Sequence, residues 1–323
     1  MARILTGVQS TGTPHLGNLL GAILPAIEMA NNGDNDAFLF IADLHSLTQI
    51  KNGVEMRNNT YSVAATWLAC GLDPKKIVFY RQSDVPECTE LSWYLSCFFP
   101  FQRLQLAHSF KDKSDRLEDV NGGLFVYPML MAADILLYDA NYVPVGKDQL
   151  QHLEMTRDVA SRFNHSMGNT FVIPEPKIQE NTMLVPGTDG QKMSKSRNNY
   201  LNIFLPKNEL KKVINKHFVT DDTPLEDPKD PETSSVFQLY KLIATDKQVA
   251  EMAENLRAGG YGWGHAKKEF LDCVLERFSK EREKYDYYMN NTSELDTVLL
   301  NGANKARAVA KETLKRVRNN CGY

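Results

Sequence analysis

The 323-residue chain has no run of about 18 apolar residues, so no segment is expected to cross a membrane as a helix. The opening residues, MARILTGVQS, lack the long apolar stretch of a secretory signal and read as a strand entering a turn. The fold is expected to begin at residue 3, which leaves no room for a transit peptide. Cysteine is scarce. Cys70, Cys88, Cys97, Cys273 and Cys321 are odd in number, widely spaced and without a C-x-x-C pair. That argues for reduced thiols in a cytoplasmic protein and against a zinc site. An excess of basic charge is also missing. A net charge of −3 argues against a general nucleic-acid coat, while leaving room for an RNA enzyme with a local basic face. The sequence contains neither an internal repeat nor a low-complexity tract.

What is present suits a large folded enzyme. Hydrophobic residues at 42% and aromatic residues at 10% can fill a core, and 24% charged residues are ordinary for a globular chain. The length points to a large α/β domain plus a second unit. Arg3 to Val8 reads as a first strand, followed by the turn Gln9 to Thr13. Thr13 fits a helix N-cap and Pro14 the first helical position. Apolar residues at Leu16, Leu19, Leu20, Ile23, Leu24 and Ile27 keep a helical period, interrupted by Pro25, which should kink the helix or cost a hydrogen bond. Ala37 to Ala42 is apolar throughout, as for a strand covered on both faces. A helix to about Ala69 and a strand at Ile77 to Tyr80 follow, then mainly helix over 87–140 and a candidate strand at Tyr142 to Val145. This alternation predicts a Rossmann-like, doubly wound parallel sheet. Leu184 to Asn199 is turn-rich and reads as a mobile loop. Beyond Pro206 the pattern is helical at Glu209–Phe218, Val236–Ala244, Gln248–Leu256, Ala266–Tyr288 and Lys305–Arg318, with an acidic, proline-rich loop over 220–235.

Two segments suggest phosphate chemistry. His15-Leu-Gly-Asn18 opens the first helix, where free N–H groups and the positive dipole end favour anions. Gly17 permits close approach, and His15 can donate to phosphate oxygens. Taken alone, this is also an ordinary helix start. Lys192-Met-Ser-Lys-Ser196 places two lysines and two hydroxyls in a glycine-rich loop able to close over a polyphosphate. Alone, it is also a solvated basic loop.

In this order the two segments resemble the "HIGH" and "KMSKS" elements of class I aminoacyl-tRNA synthetases. Tyr127-Pro-Met-Leu-Met-Ala-Ala-Asp-Ile-Leu-Leu-Tyr138 and Val143-Pro-Val-Gly-Lys-Asp-Gln-Leu-Gln-His-Leu-Glu154 are similar to the tryptophanyl branch. The resemblance extends over essentially the whole chain. It implies activation of L-tryptophan with ATP, release of pyrophosphate, and transfer of tryptophan to the 3′-terminal ribose of tRNA(Trp). Magnesium would ride on the ATP phosphates without an all-protein cage. A cytoplasmic homodimer is implied, with its tRNA bridging both subunits.

By the same resemblance, Gln9, Ser10, Thr11, Gly17 and Asn18 contact ATP, with Gly146, Lys147 and Asp148 near the ribose and Thr182 and Met183 beside the adenine. Lys192, Met193, Ser194, Lys195 and Ser196 hold the phosphates; Lys111, Lys192, Lys195 and His15 carry the catalysis. Asp134 accepts the indole N–H, and Met131, Val143 and Val145 pack the rings. Leu5 and Gly7 leave room beside them. Tyr127 and Gln149 hold the amino group, and His45 lies near the amino acid. Two departures stand out: the family often has Thr at the His15 position and commonly Glu at that of Lys147. Tyrosyl relatives resemble Gln-x-x-Asp where this chain has Met131-x-x-Asp134. Asp134 also has a plain structural reading as a paired helix carboxylate, and Met131 one as core.

The expected division is a catalytic domain at 1–205, with a helical insertion over about 100–140, and an anticodon-binding helical domain at 206–323 whose last helix packs back on the catalytic domain. Lys305, Arg307, Lys311, Lys315, Arg316 and Arg318 could face tRNA phosphates or simply solvent. Tyr285, Tyr287 and Tyr288 could stack on bases or pack helices. A tyrosyl enzyme and an inactive RNA-binding relative are the alternatives.

Overall fold

The segment Ala37 to Ile41 is apolar at every position because both faces of its strand are covered. Phe38 and Phe40 enter one core layer; Leu39 and Ile41 enter the other. The structure is a computed structural model that describes residues 2–33, 36–107, 120–146, 149–178 and 184–323. Within them, β1 (Arg3–Val8), β2 (Asp36–Ile41), β3 (Val78–Arg81), β4 (Tyr142–Val145) and β5 (Glu175–Ile178) form one parallel sheet in the order β3-β2-β1-β4-β5. The order reverses between β1 and β4. In open α/β sheets, the crevice beyond the strand ends at such a point is where ligands bind.

The helices in chain order begin with α1 (Leu16–Asn18), α2 (Leu24–Asn32), α3 (Asp43–Ser46) and α4 (Gly53–Ala69). α5 (Glu87–Phe98), α6 (Phe101–Gln105), α7 (Gly122–Leu136) and α8 (Leu150–Met167) follow. The last third contributes α9 (Lys207–His217), α10 (Ser235–Tyr240), α11 (Asp246–Ala258), α12 (Trp263–Arg277), α13 (Ser279–Asn290) and α14 (Thr292–Cys321). One face of the sheet packs on α1, α2 and α4, and this core continues into α9 to α13. The other face packs on α5, α7 and α8. α4 starts where Asn52 accepts from the Val54 and Glu55 N–H groups, a cap worth about 1 kcal/mol.

Three expectations need correction, and one strand was not foreseen. Thr13 is not the first helix cap. His15 is, because its Nδ1 accepts the Asn18 N–H while Asn18 Oδ1 accepts the His15 N–H. Pro25 does not kink α2. A π-turn over Leu19–Ile23 precedes it and shifts the hydrogen-bond register, which places the proline in the first turn of α2, where its missing N–H is harmless. The expected helix Ala266–Tyr288 is two, α12 and α13, broken at the buried Phe278. β5 carried no sequence signal, being four residues with a proline, on the sheet edge.

α14 reaches back to the sheet and covers the edge strand β3. A Cβ on Gly302 would lie 1.7 Å from the Phe79 carbonyl oxygen, so only glycine lets the helix approach this closely. Ala303, Ala306, Ala310, Leu314 and Val317 complete the contact face. Arg307 grips Glu87 through both carboxylate oxygens, Arg316 grips Asp139, and Arg318 grips Glu90. Three of the six cations in this helix therefore bind the protein's own carboxylates. Lys305, Lys311 and Lys315 are exposed. Tyr285 is likewise internal: it stacks on Phe204 with centroids 4.2 Å apart, and its hydroxyl lies 2.8 Å from Ser62 Oγ.

Candidate active site

Three adjoining cavities run along the C-terminal ends of β1 and β4. The first, about 390 Å³, lies between β1, α7 and the start of α8. The second, about 300 Å³, shares Thr6, Gly7, Gln9 and Pro144 with it. The third, about 370 Å³, shares Thr11, Asn18 and Lys195 with the second. The result is one cleft with an amino-acid-sized end and a basic end.

At the first end, Leu5, Gly7, His45 and Tyr127 line the wall together with Met131, Asp134, Val143 and Gln149. The Asp134 carboxylate is 3% exposed and already holds three donors. Gln82 Nε2 lies 2.8 Å from each oxygen, Cys88 Sγ is 3.0 Å from Oδ1, and His45 Nε2 is 2.9 Å from Oδ2. Burial, then the Asp134 charge, pushes the Cys88 thiol well above its ordinary range, so it remains a donor. His45, Tyr127 and His152 form an edge-to-face row along the wall, with centroids 4.6 and 5.4 Å apart.

Two placements depart from expectation. Val145 is buried in the sheet core, two residues beyond Val143, and does not reach the cavity wall. The room left by Gly7 is occupied by Phe40, whose Cζ would sit 2.5 Å from a Cβ there. Phe40, Ala42, Ile135 and His152 are wall residues that sequence reasoning missed. His152 was discoverable: it stands three residues after Gln149, where the strand-to-helix turn brings both to one side.

At the other end, the KMSKS loop lies against the HLGN turn. Lys195 Nζ donates to the Thr11 carbonyl at 3.0 Å, and the Gly17 N–H points at Met193 Sδ at 3.2 Å. Gly12 has φ +103°, and a Cβ there would be 3.1 Å from Lys195 Nζ. A Cβ on Gly17 would press on the His15 ring at 3.0 Å and on Met193 Cβ at 3.3 Å. Burial holds the Lys195 ammonium below its ordinary range. Burial, and then the Lys195 charge, takes His15 down to about 4. His15 is thus neutral at pH 7. Because its Nδ1 accepts the Asn18 N–H, the proton sits on Nε2, which can donate to an anion.

Asn199, also unforeseen, pins the loop. Its Oδ1 accepts the Ser194 N–H at 2.8 Å, and its Nδ2 donates to Asp189 Oδ1 and the Lys192 carbonyl at 2.7 and 3.1 Å. Ser10 supports the turn. It is fully buried, and both its N–H and its hydroxyl are engaged with Ser46 Oγ at 3.1 Å. Gly146 follows β4, and its carbonyl accepts the Gln149 N–H. Ser196 sits 3.1 Å from Ser194 Oγ on the exposed side of the loop. Lys111, Lys147, Asp148, Thr182 and Met183 lie outside the described residues.

Comparison with known proteins decides the family. The class I tRNA synthetases for W and Y match residues 1–279. The tryptophan–tRNA ligase of Rhodopirellula baltica is 46% identical over 320 residues, covering 99% of this chain and 99% of that protein. The chain belongs to the tryptophanyl branch of the class I tRNA synthetases. A second branch member, the tryptophan–tRNA ligase of Fusobacterium nucleatum, is 45% identical over 98% of this chain and 97% of its own. The crystal structure of tryptophanyl-tRNA synthetase from Campylobacter jejuni, complexed with ADP and tryptophan, has a TM-score of 0.95 at 42% identity. That comparison covers 99% of this chain and all of the other. The doubly wound sheet with helical additions is therefore the synthetase fold of this branch.

Proposed function

We propose that the chain is a tryptophan–tRNA ligase whose cleft seats tryptophan at the Asp134 end and ATP toward His15 and the KMSKS loop. The observation that carries this is the continuity of the cleft. An acceptor-lined cavity and a basic, phosphate-suited cavity are joined through Thr6, Gly7, Gln9, Thr11 and Asn18. The tryptophan carboxylate attacks the α-phosphorus and pyrophosphate leaves, giving tryptophanyl-adenylate. A hydroxyl of the tRNA 3′-terminal ribose then attacks the carbonyl and AMP leaves. The protein's part is alignment and charge stabilisation.

In this reading Asp134 accepts the indole N–H against apolar walls from Leu5, Met131 and Val143, with Val145 behind them. Gln149 and Tyr127 receive the amino group, and His45 closes the ring edge. Gln9, Thr11, Gly17, Asn18, Gly146, Asp148, Thr182 and Met183 hold the nucleoside side of ATP, with Lys147 beside them. His15, Lys192, Met193, Ser194, Lys195, Ser196 and Lys111 serve the phosphates. The ATP phosphates carry Mg2+.

The catalytic domain comprises 1–205 and the anticodon-reading helical domain 206–323. The enzyme works as a homodimer. Exposed apolar side chains on three of the described helices, Trp93, Phe101 and Val126, support a subunit contact there. Its place is the cytoplasm; no helix among the described residues is long and apolar enough to cross a membrane. Amino-acid-dependent ATP–pyrophosphate exchange with all twenty amino acids tests the reading. Tryptophan alone should support exchange, and exchange with tyrosine instead would overturn it.

A further inference from the structure

We propose that Gln82 is a positioning residue that sets the cavity's demand for a ring N–H donor. The inference rests on the reading of Asp134 as the indole acceptor.

A carboxylate has about four acceptor positions on its two oxygens. Three donors make four contacts with that of Asp134, two on each oxygen, and they approach from different sides. His45 stands on the cavity wall. Gln82 and Cys88 do not, and hold the carboxylate from behind. Gln82 spans both oxygens at 2.8 Å and is 1% exposed, so it fixes the rotation of the carboxylate plane. The orientation that the carboxylate presents to the cavity, with His45 as its one donor on the cavity wall, is therefore defined before any substrate arrives.

The Gln82 amide is itself oriented. Its Oε1 accepts the Leu44 N–H at 3.1 Å, so its NH2 group must face Asp134. The next residue is stitched to the same segment. Ser83 donates to Asp43 through its N–H at 3.0 Å and its hydroxyl at 2.5 Å. Gln82 thus links the turn after β3, the Asp43–His45 segment and the carboxylate on α7. An acceptor held rigidly and almost fully buried rejects a ring that offers it no donor, because it is then left with an unmet bond.

The test is exchange kinetics on the full-length chain with tryptophan and with its isostere in which sulfur replaces the ring N–H. Gln82→Met keeps the length and removes both amide bonds. We expect the tryptophan KM to rise about ten- to a hundredfold, and the preference for tryptophan over the isostere to fall by a similar factor. The ATP KM should stay within about twofold, since the amide does not reach the basic end of the cleft. Gln82→Glu, the isosteric variant that turns the donor into an acceptor, should do at least as much, and it decides the matter if Gln82→Met does not fold. Equal losses for both amino acids, with the preference unmoved, would mean that Gln82 only packs, and would overturn the proposal. Asp134→Asn separates the two readings. If it raises the tryptophan KM while the Gln82 variants do not, Gln82 alone is refuted; if it has no effect, the assignment of Asp134 falls first.

Discussion

His15 shows how one side chain can serve structure and chemistry together. It caps α1 through Nδ1 and is left with a single N–H aimed at the basic end of the cleft. A neutral donor there avoids adding a third positive charge beside Lys192 and Lys195, yet keeps an N–H able to donate to an anion. An NMR titration should place its pKa at about 4 rather than near 6.5. Between these values the unfolded chain binds a proton that the folded chain refuses. Stability should therefore rise with pH from about 4 to about 6.5 and be fully present above that, and His15→Ala should lose this dependence. A titration midpoint above 6 would contradict the assigned environment. The capping role was not legible in the sequence, because Thr13 and Pro14 satisfy the local rules equally well. The choice is made by a long-range bond, Leu16 N–H to the Leu201 carbonyl at 2.8 Å, which starts the helix two residues later. Asp134 was legible as a buried acceptor; its three partners come from elements 46 to 89 residues away and were not.

At the scale of elements, the KMSKS loop is shaped by hydrogen bonds that its own motif does not contain. Pro186 and Lys192 pair as an antiparallel bridge, Met193 N–H donates to the Val185 carbonyl, and Asn199 ties the turn to both. Asn199→Ala removes those ties and should free the loop. We expect exchange kcat to fall about tenfold or more with the tryptophan KM little changed, since only the positioning of phosphate-side groups is lost. A rise in tryptophan KM with unchanged kcat would place the loop's role elsewhere. The strands β1 to β4 were readable because their apolar runs are either two-faced or follow helix breakers. β5 was not, since four residues with a proline acquire their strand only by pairing with β4.

Across the whole molecule, the last helix packs on the sheet edge after the chain has passed through the other helices of its last third. Its cations read from sequence as a possible nucleic-acid face, but Arg307, Arg316 and Arg318 are spent on Glu87, Asp139 and Glu90. Periodicity alone cannot distinguish a cation facing solvent from one facing a carboxylate 177 to 228 residues away. Most of the adhesion comes from the small-residue face around Gly302 and from apolar burial, because ion pairs this exposed contribute little. Gly302→Val should push α14 off β3 and cost about 3 kcal/mol or more of stability, seen as a lower midpoint in denaturant unfolding. An unchanged midpoint would mean that the helix does not bear on the sheet edge. Lys305, Lys311 and Lys315 remain as exposed cations outside those three ion pairs, and replacing all three with Ala should leave tryptophan–ATP exchange unaffected.

The account depends on where the indole ring sits, and a crystal structure of the chain with tryptophan bound measures that directly. The account predicts the ring nitrogen within about 2.7–3.2 Å of an Asp134 carboxylate oxygen, with Gln82 still spanning that carboxylate from behind. A ring lodged elsewhere in the cleft, with Asp134 bonded only to protein, would contradict it.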